Sequence, residues 1–410
     1  MKKSNFNHKY SSVFGVFWLV CIVVGHGQSF RQSPLDSLYT HYERSISNKT
    51  LAGVEALLIL NDRVVWHQVQ GLADVAAKTP LQTNSIYYIQ SMTKPIISVA
   101  IMQLVERGLL ALDDPIEMYI PEAKGLLVAN NPDLGLDSPT RKVNRSLTIL
   151  DLLTHTSGLS HGLGESKLDQ QLFKALYDET LNYRSHNSLE DRVTTLLSFP
   201  LVAQPGTEWY YSAGADILAL ILQRVSKQSI PTYLKTNIFE PLDMHDTGYN
   251  LNELQSRRVM KLHSRNERNT VKRHEQQVPT SGNTIYGGTH GLFSTASDYA
   301  QFCLMILHNG TWNGAQILKS DTVKNIRTNH TADLYNEEGA GFGLGFSVIS
   351  IPEKMNRPGG VGQLQWGGYF STHFFIDPEK MAIGIILTQQ MPGGEDINTP
   401  FQNNVYRALN

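Results

Sequence analysis

Ser91-Met92-Thr93-Lys94-Pro95-Ile96-Ile97-Ser98-Val99-Ala100-Ile101-Met102-Gln103-Leu104-Val105-Glu106-Arg107-Gly108 decides how this chain is read. Ile96, Ile97, Ala100, Ile101, Leu104 and Val105 recur at helical spacing, and Gly108 supplies a stop. The i, i+3 spacing puts the Ser91 hydroxyl and the Lys94 amine on one helical face, one turn apart. A hydroxyl is a poor nucleophile until a base takes its proton. A lysine serves as that base when burial or a neighbouring cation keeps its amine neutral. A helix start adds backbone N–H groups aimed at whatever the serine attacks. S-x-x-K on a helix start is therefore a compact device for acyl transfer. Ser and Lys are common residues, so the remaining segments decide whether the device is real.

Working outward, the chain has 410 residues, 41% hydrophobic and 18% charged, with a formal net charge of -2. That is an ordinary globular composition with length for two or three domain-sized units. The charge gives no global case for nucleic acid as a partner. Residues 1–27 read as a secretory signal peptide: Lys2, Lys3 and Lys9, an apolar run from Val13 to Val24, then Gly25-His26-Gly27 before a cut at Gln28. The alternative is an uncleaved N-terminal anchor. An exported, periplasmic or secreted protein is the expectation, with no stable membrane insertion once the signal is removed. The mature chain keeps one cysteine, Cys303, in the stripe Tyr299, Phe302, Cys303, Ile306, Leu307, where it reads as a small buried hydrophobe.

Ala56 to Leu60, the Asn61-Asp62-Arg63 turn and Val64 to Val69 read as a β-hairpin closing at Gly71. Helical patterns follow at Leu147–Leu153, Leu189–Leu197 and Asp216–Val225. A helix at 296–308 precedes strand-like runs at Gly341–Ile349, Thr372–Ile376 and Met381–Leu387, and a last amphipathic helix carries Phe401, Val405 and Leu409. Strands early and late imply one antiparallel sheet built from both ends of the chain and flanked by helices, with a helical region inserted. The α/β part covers about 30–112 and 285–410, and the helical part about 113–284, together forming one unit over 28–410. Residues 252–278, rich in Arg and Lys but without interleaved aromatics, read as a solvated loop.

Two further segments carry chemistry. Pro205-Gly206-Thr207-Glu208-Trp209-Tyr210-Tyr211-Ser212 comes just before the Asp216 helix. A tyrosine there has its phenol pKa lowered if a lysine cation and helix N–H groups lie near, and then shuttles a proton. Trp366-Gly367-Gly368-Tyr369 precedes a strand; its paired glycines let a ligand approach the backbone, where an N–H beside that of Ser91 completes an oxyanion site.

Tyr88-Ile89-Gln90-Ser91-Met92-Thr93-Lys94-Pro95 resembles the nucleophile motif of the serine β-lactamase-like superfamily, related to penicillin-binding proteins. The likeness is to the class C β-lactamase branch and its esterase relatives, the family VIII carboxylesterases. Leu109 to Pro115, Leu147 to Leu159, Pro205 to Tyr211, Phe239 to Met244, Gly291 to Ala296, Trp366-Gly367-Gly368 and Asp377-Pro378 match in order, so the resemblance covers roughly residues 35 to 390. It implies Ser91 as the acylated nucleophile, Lys94 as its base and Tyr211 as the proton shuttle. The N–H groups of Ser91 and Tyr369 would form the oxyanion hole beside Trp366, Gly367 and Gly368. The implied fold is α/β (α+β): an antiparallel sheet flanked by helices plus an all-helical subdomain. His155 and Thr156-Ser157-Gly158 read as a loop anchor.

Two departures bear on substrate. Tyr211-Ser212-Ala213 stands where β-lactamases usually have Tyr-x-Asn, and Trp366-Gly367-Gly368 where they have Lys-Thr-Gly. Losing a charge-assisted hydrogen bond to a substrate carboxylate costs about 1.5–3 kcal/mol, roughly ten- to a hundredfold in affinity. Both changes favour a neutral, partly apolar acyl group. The expected function is thus a serine hydrolase of carboxylic esters. The alternatives are a β-lactamase or D-alanyl-D-alanine peptidase on the same fold, or a binding protein without turnover. The partner is a small-molecule ester or amide; oligomeric state and acyl acceptor stay open.

Three other motifs are read as coincidental. Gly158-Leu159-Ser160-His161-Gly162 fits G-x-S-x-G without a strand–turn–helix context. His274-Glu275-Gln276-Gln277-Val278 misses the second His of a zinc motif, and Ser281-Gly282-Asn283 falls too late in the motif order. No glycine-rich phosphate loop or paired-cysteine metal site is found, so neither cofactor nor metal is expected.

Overall fold

Eight strands pair antiparallel in one sheet: β1 Gly53–Leu60, β2 Arg63–Asp74, β3 Thr79–Pro80, β4 Ala340–Phe342, β5 Ser347–Ile349, β6 Leu364–Gly368, β7 Thr372–Asp377 and β8 Ala382–Leu387. Their order across the sheet is β4-β5-β6-β7-β8-β1-β2-β3. The N-terminal hairpin thus docks on the C-terminal meander through β1 and β8, with Leu57 opposite Ile385 and Ile59 opposite Ile383. The structure is a computed structural model that describes residues 30–177 and 183–409. The signal-peptide reading of 1–27 lies outside them.

Strand period explains the layering. On β1, Leu57 and Ile59 face one core, whereas Ala56, Leu58 and Leu60 face the other. Helices α1 (Ser33–Ser47) and the C-terminal Asn398–Leu409 cover the second face through Leu35, Leu38, Phe401 and Val405. The first face takes α2 (Thr93–Glu106) and the Ala296–Leu307 helix. Because α2 runs between the sheet and the helical region, it is buried on every side from Thr93 to Leu104. Cys303 is fully buried in this core. The β1–β2 turn consists of Asn61 (φ 48°) and Asp62 (φ 65°), two residue types that tolerate the left-handed region a two-residue hairpin demands. Arg63, read as part of the turn, already pairs with Leu60.

The middle of the chain supplies α3 (Ile149–Thr154), α4 (Lys167–Tyr177), α5 (Leu189–Leu197) and α6 (Gly214–Ser226). It also carries two short hairpins, Leu127–Ala129 with Thr140–Lys142 and His263–Arg265 with Val271–Arg273. The second corrects the reading of 252–278 as a solvated loop. Val259, Met260 and Leu262 are buried, and the Met260 N–H donates to the Ile86 carbonyl. Several of its basic residues are tied to other parts of the chain: Arg258 pairs with Asp246, Arg273 lies 3.1 Å from Asp74, and Arg265 donates to the Thr50 carbonyl at 3.0 Å. The run 341–349 is likewise two strands folded on each other, Ala340 opposite Ile349, because Gly345 (φ 88°) turns the chain between them. Among the described residues no helix is long and apolar enough to cross a membrane.

Candidate active site

Ser91 lies on a single 3₁₀ turn, Gln90–Met92, that runs into α2. The turn is pinned from several sides. The Ile89 N–H donates to the Leu292 carbonyl at 3.0 Å, and the Tyr299 hydroxyl to the Met92 carbonyl at 3.0 Å. Gln90 holds φ at 49°, a left-handed conformation that costs energy outside glycine. This strained residue directly precedes Ser91, and side-chain patterning gives no warning of it.

One helical turn on, Lys94 is 3% exposed. Its Nζ lies 3.2 Å from Ser91 Oγ, 2.7 Å from the Tyr211 hydroxyl and 3.0 Å from the Thr289 carbonyl oxygen. The Tyr211 hydroxyl is 2.7 Å from Ser91 Oγ. Ser91, Lys94 and Tyr211 therefore close a triangle of hydrogen bonds. Burial pulls the Lys94 amine down to about 7; Asp216 opposes that shift and Arg192 adds to it. A neutral amine has two N–H donors and one lone pair. The Thr289 carbonyl only accepts, so it takes one N–H and leaves the lone pair and the other N–H to the Ser91–Tyr211 pair.

Tyr211 departs from the sequence expectation. Its phenol pKa is raised, not lowered, because burial outweighs its hydrogen bond to Ser91. The hydroxyl stays protonated through ordinary pH and is not a resting tyrosinate.

The glycine segment reaches the same point. β5 pairs with β6 at Leu364 and Gln365; beyond them Trp366–Gly368 continues, paired with β7. A Cβ on Gly368 would lie 2.5 Å from the Ile89 carbonyl oxygen and 2.2 Å from Thr372 Oγ1. The absence of a side chain there is what lets β6 approach the Ser91 turn. Gly368→Val is expected to push this turn and lower kcat on an ester by roughly ten- to a hundredfold, with fluorophosphonate labelling slowed in parallel.

Aromatic rings wall the cleft. Trp366 lies 5.5 Å from Tyr211 and 5.1 Å from Phe342 between ring centroids, and Trp209 lies 5.7 Å from Phe342. His161 stacks on Tyr211 at 4.9 Å with 12° between the planes. His155 is an anchor, as its sequence context implies: it ends α3 in the left-handed region, and its Nδ1 lies 3.0 Å from Ser212 Oγ. Burial keeps both imidazoles well below the usual histidine range.

The G-x-S-x-G stretch is structural. The Ser160 hydroxyl donates to the buried Asp169 carboxylate and accepts the Gly162 N–H at 2.8 Å. Asn283 bonds the Tyr249 and Pro279 carbonyls, and His274 Nδ1 lies 2.9 Å from the Gln276 carbonyl. The sequence reading missed Thr289, which acts through a backbone oxygen and leaves no residue signature. It also gave Asp216 no role. The one available signal was a lone carboxylate in the otherwise apolar stretch Ala213 to Leu222.

A family model described as Beta-lactamase matches residues 39–405. The chain belongs to that family. Protein Rv1367c of Mycobacterium tuberculosis (strain ATCC 25618 / H37Rv) is 30% identical over 356 residues, which span 83% of this chain and 86% of the relative. Esterase EstB of Burkholderia gladioli is 25% identical over 369 residues, 84% of this chain and 88% of the relative. Among solved structures, EstCE1, a hydrolase with promiscuous acyltransferase activity, superposes with a TM-score of 0.75 at 21% identity, covering 92% of this chain and 98% of that one. The large antiparallel sheet between helices is thus a fold this chain shares with that solved structure.

Proposed function

We propose that this chain is a serine hydrolase that cleaves carboxylic esters through an acyl-Ser91 intermediate. The observation that carries this reading is the closed Ser91–Lys94–Tyr211 triangle, with a lysine titrating near neutrality. Lys94 takes the Ser91 proton as Oγ attacks the ester carbonyl. The N–H groups of Ser91 and Tyr369 receive the developing oxyanion. The proton then passes from Lys94 through the Tyr211 hydroxyl to the departing alkoxide, leaving the acyl group on Ser91. Water enters, gives its proton along the same path, and the carboxylic acid leaves with Ser91 restored. An alcohol in place of water turns the same cycle into acyl transfer.

Substrate class follows from the walls. Ala213 is fully buried and brings no amide to the cleft, and Trp366 contributes an indole among other rings. A neutral acyl group suits these surroundings better than a carboxylate-bearing lactam. Purified enzyme assayed in parallel on p-nitrophenyl butyrate and nitrocefin, with Ser91→Ala as control, tests the reading. Ester cleavage should exceed nitrocefin turnover by at least about tenfold, the loss expected without a charged partner for the carboxylate. Dominant nitrocefin turnover would assign a β-lactamase, and full ester activity in Ser91→Ala would remove the mechanism. The basic and then apolar opening of the chain supports export; N-terminal sequencing of secreted or periplasmic protein, beginning at Gln28, tests that part.

A further inference from the structure

We propose that Asp216 is a positioning residue for Lys94, acting through the backbone of Gly288 and Thr289. The inference rests on the acyl-Ser91 reading and adds a residue to it. Asp216 Oδ1 accepts the Gly288 N–H at 2.9 Å and the Thr289 N–H at 2.8 Å. The Thr289 carbonyl, on that same residue, takes the Lys94 N–H. Asp216 Oδ2 is held by Arg192 Nε at 2.7 Å, and both side chains are 1% exposed. The Tyr183 hydroxyl adds a third bond to Oδ1 at 2.8 Å. Arg192 is fixed in turn by the Leu176 carbonyl at 2.6 Å and by the faces of Tyr177 and Tyr183, 4.8 and 4.6 Å from its guanidinium carbon. An ion pair buried this deeply is a poor device for stability, because its desolvation cost offsets much of its attraction. It is a good device for holding a short backbone segment in one place.

The chemistry needs such a hold. If the Thr289 carbonyl shifts, Lys94 loses the acceptor that commits one N–H away from the nucleophile. Its lone pair then has no fixed direction toward Ser91. Close packing restricts other settings of this segment: a Cβ on Gly288 would lie 2.0 Å from the Ala215 carbonyl oxygen, and one on Gly287 2.2 Å from the Tyr183 ring. The remaining groups near Lys94 are Tyr211, His155, His161 and His290. Burial keeps Tyr211 protonated and the imidazoles neutral, with His290 brought down to about 3. Asp216 and Arg192 are then the fixed charges Lys94 faces, opposite in sign.

The test compares two double variants on p-nitrophenyl butyrate. Both carry Arg192→Met, so that no lone buried charge is left behind. Asp216→Ala/Arg192→Met removes the acceptor for the two amides; kcat should fall roughly a hundredfold with KM nearly unchanged, the scale of a displacement of about 1 Å. Asp216→Asn/Arg192→Met restores a side-chain oxygen at the same distance and should recover most of that loss. Equal kcat in the two doubles, or wild-type kcat in the alanine double, overturns the proposal. Ser91→Ala run alongside separates this from failure of the acyl-enzyme reading, which would show as activity surviving in that control. Should the alanine double not fold, Asp216→Glu replaces it. The added methylene displaces the amides while keeping the ion pair, so a kcat drop at constant KM supports the positioning role and unchanged kcat overturns it.

Discussion

Lys94→Met is expected to lower kcat/KM on p-nitrophenyl butyrate by roughly 10²–10⁴-fold, the contribution of a positioned general base. The wild-type pH profile identifies the base before any residue is changed. An ordinary lysine loses its proton near 10.4, but burial brings the Lys94 amine down to about 7. Below that point Lys94 is an ammonium with three donors and nothing to accept the Ser91 proton. Above it the lone pair is free. kcat/KM should therefore rise with pH through about 7 and then level off, falling about tenfold per pH unit on the acid side. In Lys94→Met this limb disappears along with the activity. Lys94→Arg should be no better, because a guanidinium stays protonated and cannot act as base. A wild-type profile flat well below neutrality would place the base elsewhere.

The parts of this site that were legible in the sequence are those in which a side chain does the work. Ser91 and Lys94 share a helix face, and helical period is the strongest local signal a chain carries. Gly367-Gly368 drew notice as room for a ligand beside the backbone, whereas what needs the glycine at 368 is the approach of another backbone, at the Ile89 carbonyl. The sheet followed from runs such as Ala56–Leu60 and Met381–Leu387, whose partners were implied by their place at opposite ends of the chain. What stayed hidden was set by long-range burial. The Tyr211 phenol was expected to be acidic from its local neighbours, yet desolvation by the whole cleft raises its pKa. Segment 252–278 was read from its charges, whereas Val259 and Leu262 fix its path against Tyr88 and Phe293. The Thr289 carbonyl and the Asp216–Arg192 pair belong to the same class. Arg192 on α5 and Asp216 on α6 meet only once the helices pack, and no sequence period links them.

Tyr211→Phe separates the two jobs of the triangle. The Phe side chain keeps the ring against Trp366 and His161 and removes only the hydroxyl that lies 2.7 Å from both Ser91 Oγ and Lys94 Nζ. Loss of a general acid costs roughly 10²–10⁴-fold where the leaving group needs a proton. An alkoxide from an ethyl ester needs one, whereas p-nitrophenolate departs without it. Turnover of ethyl butyrate should therefore fall by at least about tenfold more than acylation by p-nitrophenyl butyrate, read as the burst of p-nitrophenol in single-turnover kinetics. The acid limb should stay near 7, because burial is the largest cause of the Lys94 shift and the Phe ring keeps that burial. If Tyr211 were itself the base, the same substitution would abolish the limb and damage both substrates equally. Its raised pKa argues for the first outcome, since a phenol held protonated is no resting base and can only pass a proton on while receiving another from Lys94. Burial thus divides the roles: with Asp216 and Arg192 it leaves the amine unprotonated near neutrality, its lone pair open to the serine proton, and it keeps the phenol protonated so that the phenol can pass a proton on as it receives one.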